Sequence, residues 1–272
     1  MGRRRPWTVC LAMVAVLAGC GSGQSAIQPN PDTPATTLTT AALAPDYVAA
    51  TPGPVGAVEG FLAAEVRGEF EAGFEFLTEA DQLEAGGSTG WVANHFLVLP
   101  VITGYRVRSD VRNGDRAEVV VDLVLASSLD QIVGLTAARA TSTWVVVEEG
   151  LVWKLAFTES SLVPLLPDAS NAPAAVTAWV EERQGCRNGR SWEEGLLGSP
   201  RLIDSICGST EPVSVGAVER LDDAASSAPF LAAFGPQVGD WARIVPVEGP
   251  LSIRVVVAPV ADQWIVIGVL ES

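Results

Sequence analysis

Residues Thr141–Phe157 read TSTWVVVEEGLVWKLAF, and this stretch decides the fold. Two apolar runs flank Glu149-Gly150, which reads as a two-residue hairpin loop. Directly opposed residues of a hairpin share a face. Trp144 and Val146 therefore fall with Leu151, Trp153, Leu155 and Phe157. Thr143, Val145 and Val147 fall with Val152, Lys154 and Ala156. The first face is bulkier and should meet a helical layer. Lys154, the only lysine, lies on the more polar face.

Working upstream, Ala117–Leu125 is nearly continuous in Val and Leu, and Tyr105, Val107 and Ser109 alternate with Arg106 and Arg108. Both runs read as strands joined by a turn at Asn113-Gly114-Asp115. Before them the apolar period becomes helical. Val55, Val58, Phe61, Leu62 and Val66 recur at three- and four-residue steps, after Pro52 and Pro54. Gly68 breaks the run. Phe70, Phe74 and Leu77 continue it in a new phase among Glu69, Glu71, Glu75 and Glu79. A third helical stretch holds Trp91, His95 and Leu99.

The order helix, glycine, helix, short helix, then long antiparallel strands resembles the nuclear-transport-factor-2-like cone fold. The residues that carry the resemblance are Ala57–Gln82, with Arg67-Gly68-Glu69-Phe70-Glu71-Ala72 at the helix junction, and the Trp144–Phe157 hairpin. The resemblance covers about residues 50–165. It implies a curved sheet wrapped on a long helix, often around a pocket.

The rest of the chain repeats the plan. Ala174–Glu182 has helical spacing through Val176, Trp179 and Val180, and Gly189–Glu194 echoes the first junction. Strand material returns at Val213–Val218, Ala242–Val247, Leu251–Ala258 and Trp264–Leu270. The expected fold class is thus α+β, with two tandem nuclear-transport-factor-2-like cone domains. Each would pack N-terminal helices on a curved antiparallel sheet, over 51–167 and 168–272, with the boundary at Asp168–Pro173.

The first fifty residues carry an address. Arg3, Arg4 and Arg5 precede an apolar stretch of Thr8–Leu17, too short to span a bilayer. It fits a signal-peptide core. Leu17-Ala18-Gly19-Cys20 resembles the lipobox of bacterial lipoproteins. The resemblance implies cleavage before Cys20 and a lipid on its thiol, which anchors the protein to the outer face of the cell membrane. Residues 1–20 would then be signal and lipobox. Residues 21–50, rich in Pro, Thr and Ser, read as a disordered tether. A coil of that length reaches roughly 30 Å. The Thr/Pro content also suits O-glycosylation. Loss of Cys10 with the signal and lipidation of Cys20 leave Cys186 and Cys207. Outside the cytoplasm such a pair reads as one disulfide.

The formal charge is −15 and would become −18 without the three leading arginines. So acidic a chain is unsuited to nucleic acid, which needs clustered Lys and Arg. It would also be repelled by an anionic lipid surface, so it should stand off the membrane on its tether. One histidine excludes a multi-His metal centre. No metal and no cofactor are expected: there is no phosphate-binding glycine loop, no H-E-x-x-H and no G-x-S-x-G.

The candidate pocket residues are His95, Tyr105, Asp122, Trp144 and Trp153. His95 reads as a packed side chain beside Phe96 and Leu97, or as a general base. Asp122 reads as an outward residue of its strand, or as a buried acid. Tyr105 reads as core, or as a hydrogen-bond donor to a ligand. The eight tryptophans mostly occupy apolar-face positions. Some cone-fold isomerases and cyclases place a carboxylate with a Tyr or His in their pocket, and no matching pattern stands out here. The expected function is a non-enzymatic, lipid-anchored accessory module that docks an envelope protein. The alternatives are a carrier of a small apolar ligand and a cone-fold isomerase or hydrolyase.

Overall fold

Gly68, with φ 71°, ends the first helix, and its N–H caps the carbonyls of Ala64 and Glu65. The left-handed backbone at this place favours glycine. This helix, α1 (Pro54–Arg67), buries Ala57, Val58, Phe61, Leu62, Ala64 and Glu65 along one side. Three shorter helices follow: α2 (Phe70–Phe74), α3 (Glu79–Glu84) and α4 (Gly87–Val98). The computed structural model describes residues 53–130, 134–185, 195–199, 202, 206, 207, 209, 211–249 and 252–272. The signal, lipobox and tether expected over 1–50, Cys186, and the junction echo at 189–194 lie outside the described residues.

The first sheet contains β1 (Ile102–Asn113), β2 (Arg116–Leu125), β5 (Arg139–Glu149), β6 (Val152–Leu155) and β7 (Ser161–Leu165). A small hairpin, β3 (Ser128–Asp130) with β4 (Gly134–Thr136), projects between β2 and β5. The sheet runs β1-β2-β5-β6 antiparallel, and β7 shares the β5 edge. Its inner face places Val119, Val121, Leu123, Trp144, Val146 and Leu155 against Phe61 and Leu62 of α1 in one core. Full burial of each such side chain contributes about 1.5–3 kcal/mol.

The hairpin that decides the fold is shifted from its expected register. Glu149 pairs with Val152, so the loop is Gly150-Leu151, and Trp153 lies opposite Glu148 instead of Val146. Gly150 takes φ 68° as the first loop residue. A displacement of two residues leaves the faces unchanged, because side chains alternate with period two. Trp144, Val146, Trp153 and Leu155 still look toward the helices. Leu151 does not: it sits in the turn and is exposed.

In the second half, α5 (Ala172–Gln184) is followed by the short strands β8 (Leu197–Gly198), β9 (Ser214–Val215) and β10 (Glu219–Arg220). Then come α6 (Ala224–Phe234), α7 (Val238–Trp241), β11 (Arg243–Glu248), β12 (Ile253–Val260) and β13 (Gln263–Glu271). The sheet order is β10-β11-β12-β13-β8, antiparallel except for β13 with β8, and β9 pairs with β11. The chain is therefore α+β, with two mainly antiparallel sheets.

The element order differs from a plain repeat of the first half, because α6 and α7 intervene before β11. They cover the sheet face opposite α5. Val176 and Val180 of α5 pack on Val245, Val255 and Val257. Phe230, Val238 and Trp241 pack on Ile244, Val256 and Ala258. Burial of β12 on both faces explains its apolar run from Val255 to Val260.

The hairpin β3–β4 joins the two halves. Leu129 and Leu135 pack with Leu166 against the Phe230–Trp241 core. Gly134, at φ 80°, comes so close to α6 that a β-carbon would lie 3.1 Å from the Phe234 carbonyl oxygen. Beside it, Arg139 Nε meets Asp262 Oδ2 at 2.9 Å, and the Ala261 N–H donates to Ser127 Oγ at 2.9 Å. Both halves belong to one unit, Ala42–Ser272. Cys207 is disulfide-bonded.

Candidate functional site

On α1 the apolar stripe of Val58, Phe61 and Leu62 continues, one turn beyond Phe61, to Glu65. A carboxylate thus occupies an inward position. Opposite it, Trp91 and His95 lie one turn apart on α4 and are that helix's buried residues. His95 Nε2 and Glu65 Oε2 meet at 2.8 Å, and both side chains are 1% exposed. The imidazole stacks on Phe70 at 4.0 Å and touches Trp91 edge-on at 5.0 Å. Gly73 leaves room for the carboxylate, since a β-carbon there would lie 3.0 Å from Glu65 Oε1.

The pair is enclosed in aromatic rings. Phe61 lies 6.4 Å from Trp91 and 5.3 Å from Trp144, and Phe157 lies 5.1 Å from Trp91. Four buried polar atoms in this core have no hydrogen-bond partner: Glu65 Oε1, His95 Nδ1 and the indole nitrogens of Trp91 and Trp144. A carboxylate fixes the orientation of the imidazole, leaving Nδ1 as the free ring nitrogen. The near-complete burial of both groups makes the pair an internal strut between α1 and α4.

The other expected site residues divide. Trp144 belongs to the same core, and Tyr105 and Trp153 pack partly buried against it. The Tyr105 hydroxyl donates to the Glu59 carbonyl at 3.3 Å. Burial, and then the nearby Glu59 charge, push its pKa above the ordinary phenol value. Trp153 carries the Arg112 guanidinium 4.7 Å above its ring. Asp122 is not with them. It alternates with the inward Val121 and Leu123 and so lies on the outer sheet face. There it accepts from Arg108 Nε at 2.6 Å and Arg106 Nη2 at 3.4 Å. Glu65, which closes the polar constellation, is a residue that the sequence alone does not single out.

A second feature lies just outside the strut. Trp91, His95 and Leu99 turn inward. The remaining face of the α4 end is also apolar and meets solvent: Phe96 is 56% exposed, Leu97 76% and Val98 53%. Val92 and Val101 extend the patch. Phe96 rests edge-on against Phe70 at 5.4 Å, so the patch stands directly on the ring that stacks His95.

Among the described residues, no group of three or more His, Cys, Asp or Glu is placed to hold a metal ion. No described helix is long and apolar enough to cross a membrane. No family model, curated protein or solved structure matches the chain.

Proposed function

We propose that this chain is a lipid-anchored extracytoplasmic docking module of the cell envelope, made of two tandem cone-like halves and working without catalysis. The observation that carries the reading is the exposed apolar end of α4. Contiguous apolar surface on a soluble domain marks a contact site for another macromolecule. Leu17–Cys20 supplies the anchor, and the tether leaves the patch free to reach a partner near the membrane. Anchoring raises the effective concentration of the patch at that surface.

The test is complementation of a deletion strain at equal protein level. Phe96→Ser with Leu97→Ser removes the anchors of the patch while leaving the buried face of α4 intact. Cys20→Ala removes the lipid. Both should impair function, and Cys20→Ala should leave membranes or accumulate as precursor. Full activity of the patch variant would refute docking through α4. Unchanged membrane fractionation of Cys20→Ala at mature mass would refute the anchor.

The four unpartnered polar atoms around Glu65 and His95 favour a second reading, a carrier of a small ligand in the first core. Native mass spectrometry of protein purified without detergent distinguishes it, since a carrier should retain a bound small molecule.

A further inference from the structure

Along the chain, the segments that flank the α4 patch carry one sign of charge, and the cation that reaches them from β6 is Lys154, whose ammonium donates to the Glu75 carbonyl. From Gly68 to Tyr105 the chain has six acidic residues and neither Lys nor Arg. Two of the six are used internally. Asp81 accepts from Thr78 Oγ1 at 2.7 Å and from the Phe157 N–H at 2.8 Å. Glu69 pairs with Arg67 at 2.8 Å. The other four, Glu71, Glu75, Glu79 and Glu84, are exposed and make no ion pair among the described residues. They lie on α2 and α3 or beside them, and both helices pack beside α4. An apolar centre with an acidic surround has the anatomy of a docking surface: anchors in the middle and polar groups outside.

We propose that this surface takes a protein segment of complementary chemistry, an amphipathic stretch whose apolar side chains cover Phe96, Leu97 and Val98 and whose Lys or Arg residues face Glu71, Glu75, Glu79 and Glu84. The inference rests on the docking reading and adds the charge of the partner. Apolar contact holds the segment, and the acidic surround selects it and speeds its approach. A like-charged segment is rejected by the same carboxylates. An anionic lipid surface would be repelled in the same way, which favours a basic protein partner over the membrane.

The experiment uses the full lipidated chain in nanodiscs of zwitterionic lipid, with empty nanodiscs as blank. Two fluorescent helical peptides share one leucine pattern; one carries Lys at every polar position and the other Glu. Anisotropy is read at low and high NaCl. The Lys peptide should bind at least about tenfold more tightly than the Glu peptide and lose most of that margin at high salt. Phe96→Ser with Leu97→Ser should weaken it by about tenfold or more. Glu71→Gln with Glu75→Gln should narrow the gap between the peptides.

Equal binding of both peptides, still sensitive to the Phe96 and Leu97 changes, would overturn the charge inference and leave docking standing. Failure of both to bind, or binding indifferent to those changes, would overturn the surface itself. A photo-crosslinker at position 97 that joins two copies of the chain would reassign the patch to self-association and overturn the proposal.

Discussion

His95→Phe keeps an aromatic ring against Phe70 and removes the nitrogen that meets Glu65. The carboxylate is 1% exposed and would then be buried without its partner. The Nε2···Oε2 contact at 2.8 Å is what holds the two side chains together, and Glu65 Oε1 has no partner besides. Desolvation of both groups offsets most of what that contact contributes, so the intact pair adds little net stability. Removing one member is different, because the desolvation cost of the other stays; such losses are about 3–5 kcal/mol. For a unit the size of Ala42–Ser272 each kcal/mol moves Tm by about 2–4 °C, so His95→Phe should lower Tm by about 6–20 °C. Adding Glu65→Leu removes the stranded carboxyl group and should recover most of the loss. Thermal and urea unfolding of the two single variants and the double variant give the coupling. A His95→Phe protein as stable as wild type, or a double variant no better than that single one, would refute the account of the pair as a mutually dependent strut. The double variant should also bind the Lys peptide normally, since the pair positions α4 and does not touch the partner.

Two further outcomes are expected. Asp223 caps α6 by accepting from the Ser226 N–H at 2.9 Å and the Ser226 hydroxyl at 2.5 Å, the hydroxyl being the larger cause of its lowered pKa. A lowered folded pKa gives stability that is present above the unfolded value and lost as pH falls through the folded one. The Tm advantage of wild type over Asp223→Asn should thus be full near neutral pH and shrink below about pH 4; a gap that widens in acid would contradict it. Unfolded, unreduced mature protein should show no alkylation of Cys186 or Cys207, and reduction should cost about 3 kcal/mol through loss of a loop of roughly 22 residues; stoichiometric labelling of both thiols would exclude the bridge.

Much of this architecture is legible in the sequence, and the exceptions have physical causes. α1 is read from its apolar period and from Gly68, and it is found over Pro54–Arg67. The Trp144–Phe157 hairpin is read with correct faces and a shifted loop, because a glycine in a two-residue turn can serve either loop position and period-two alternation does not distinguish them. α6 is not read at all: Pro229 lies inside it and looks like a breaker, whereas the helix is held by its Asp223 cap and by Phe230 in the core. The polar constellation is half legible. His95 is singled out as the lone imidazole, but Glu65 stands among four other glutamates between Glu59 and Glu75 and reads as solvated surface. Extending the Val58–Phe61–Leu62 stripe by one turn would have found it. The partnership itself joins residues thirty positions apart on separate helices and has no local signature.

The hairpin β3–β4 also sets a schedule. Synthesis runs from the amino end at about 5–20 residues per second. The hairpin is complete about 90 residues before α6 begins, so Leu129 and Leu135 wait roughly 5–20 seconds for the surface that covers them. During that interval the newborn first half shows two leucines with nowhere to go. A chaperone that holds nascent chains has a defined moment to act here, and a chain cut short before α6 should be prone to clump.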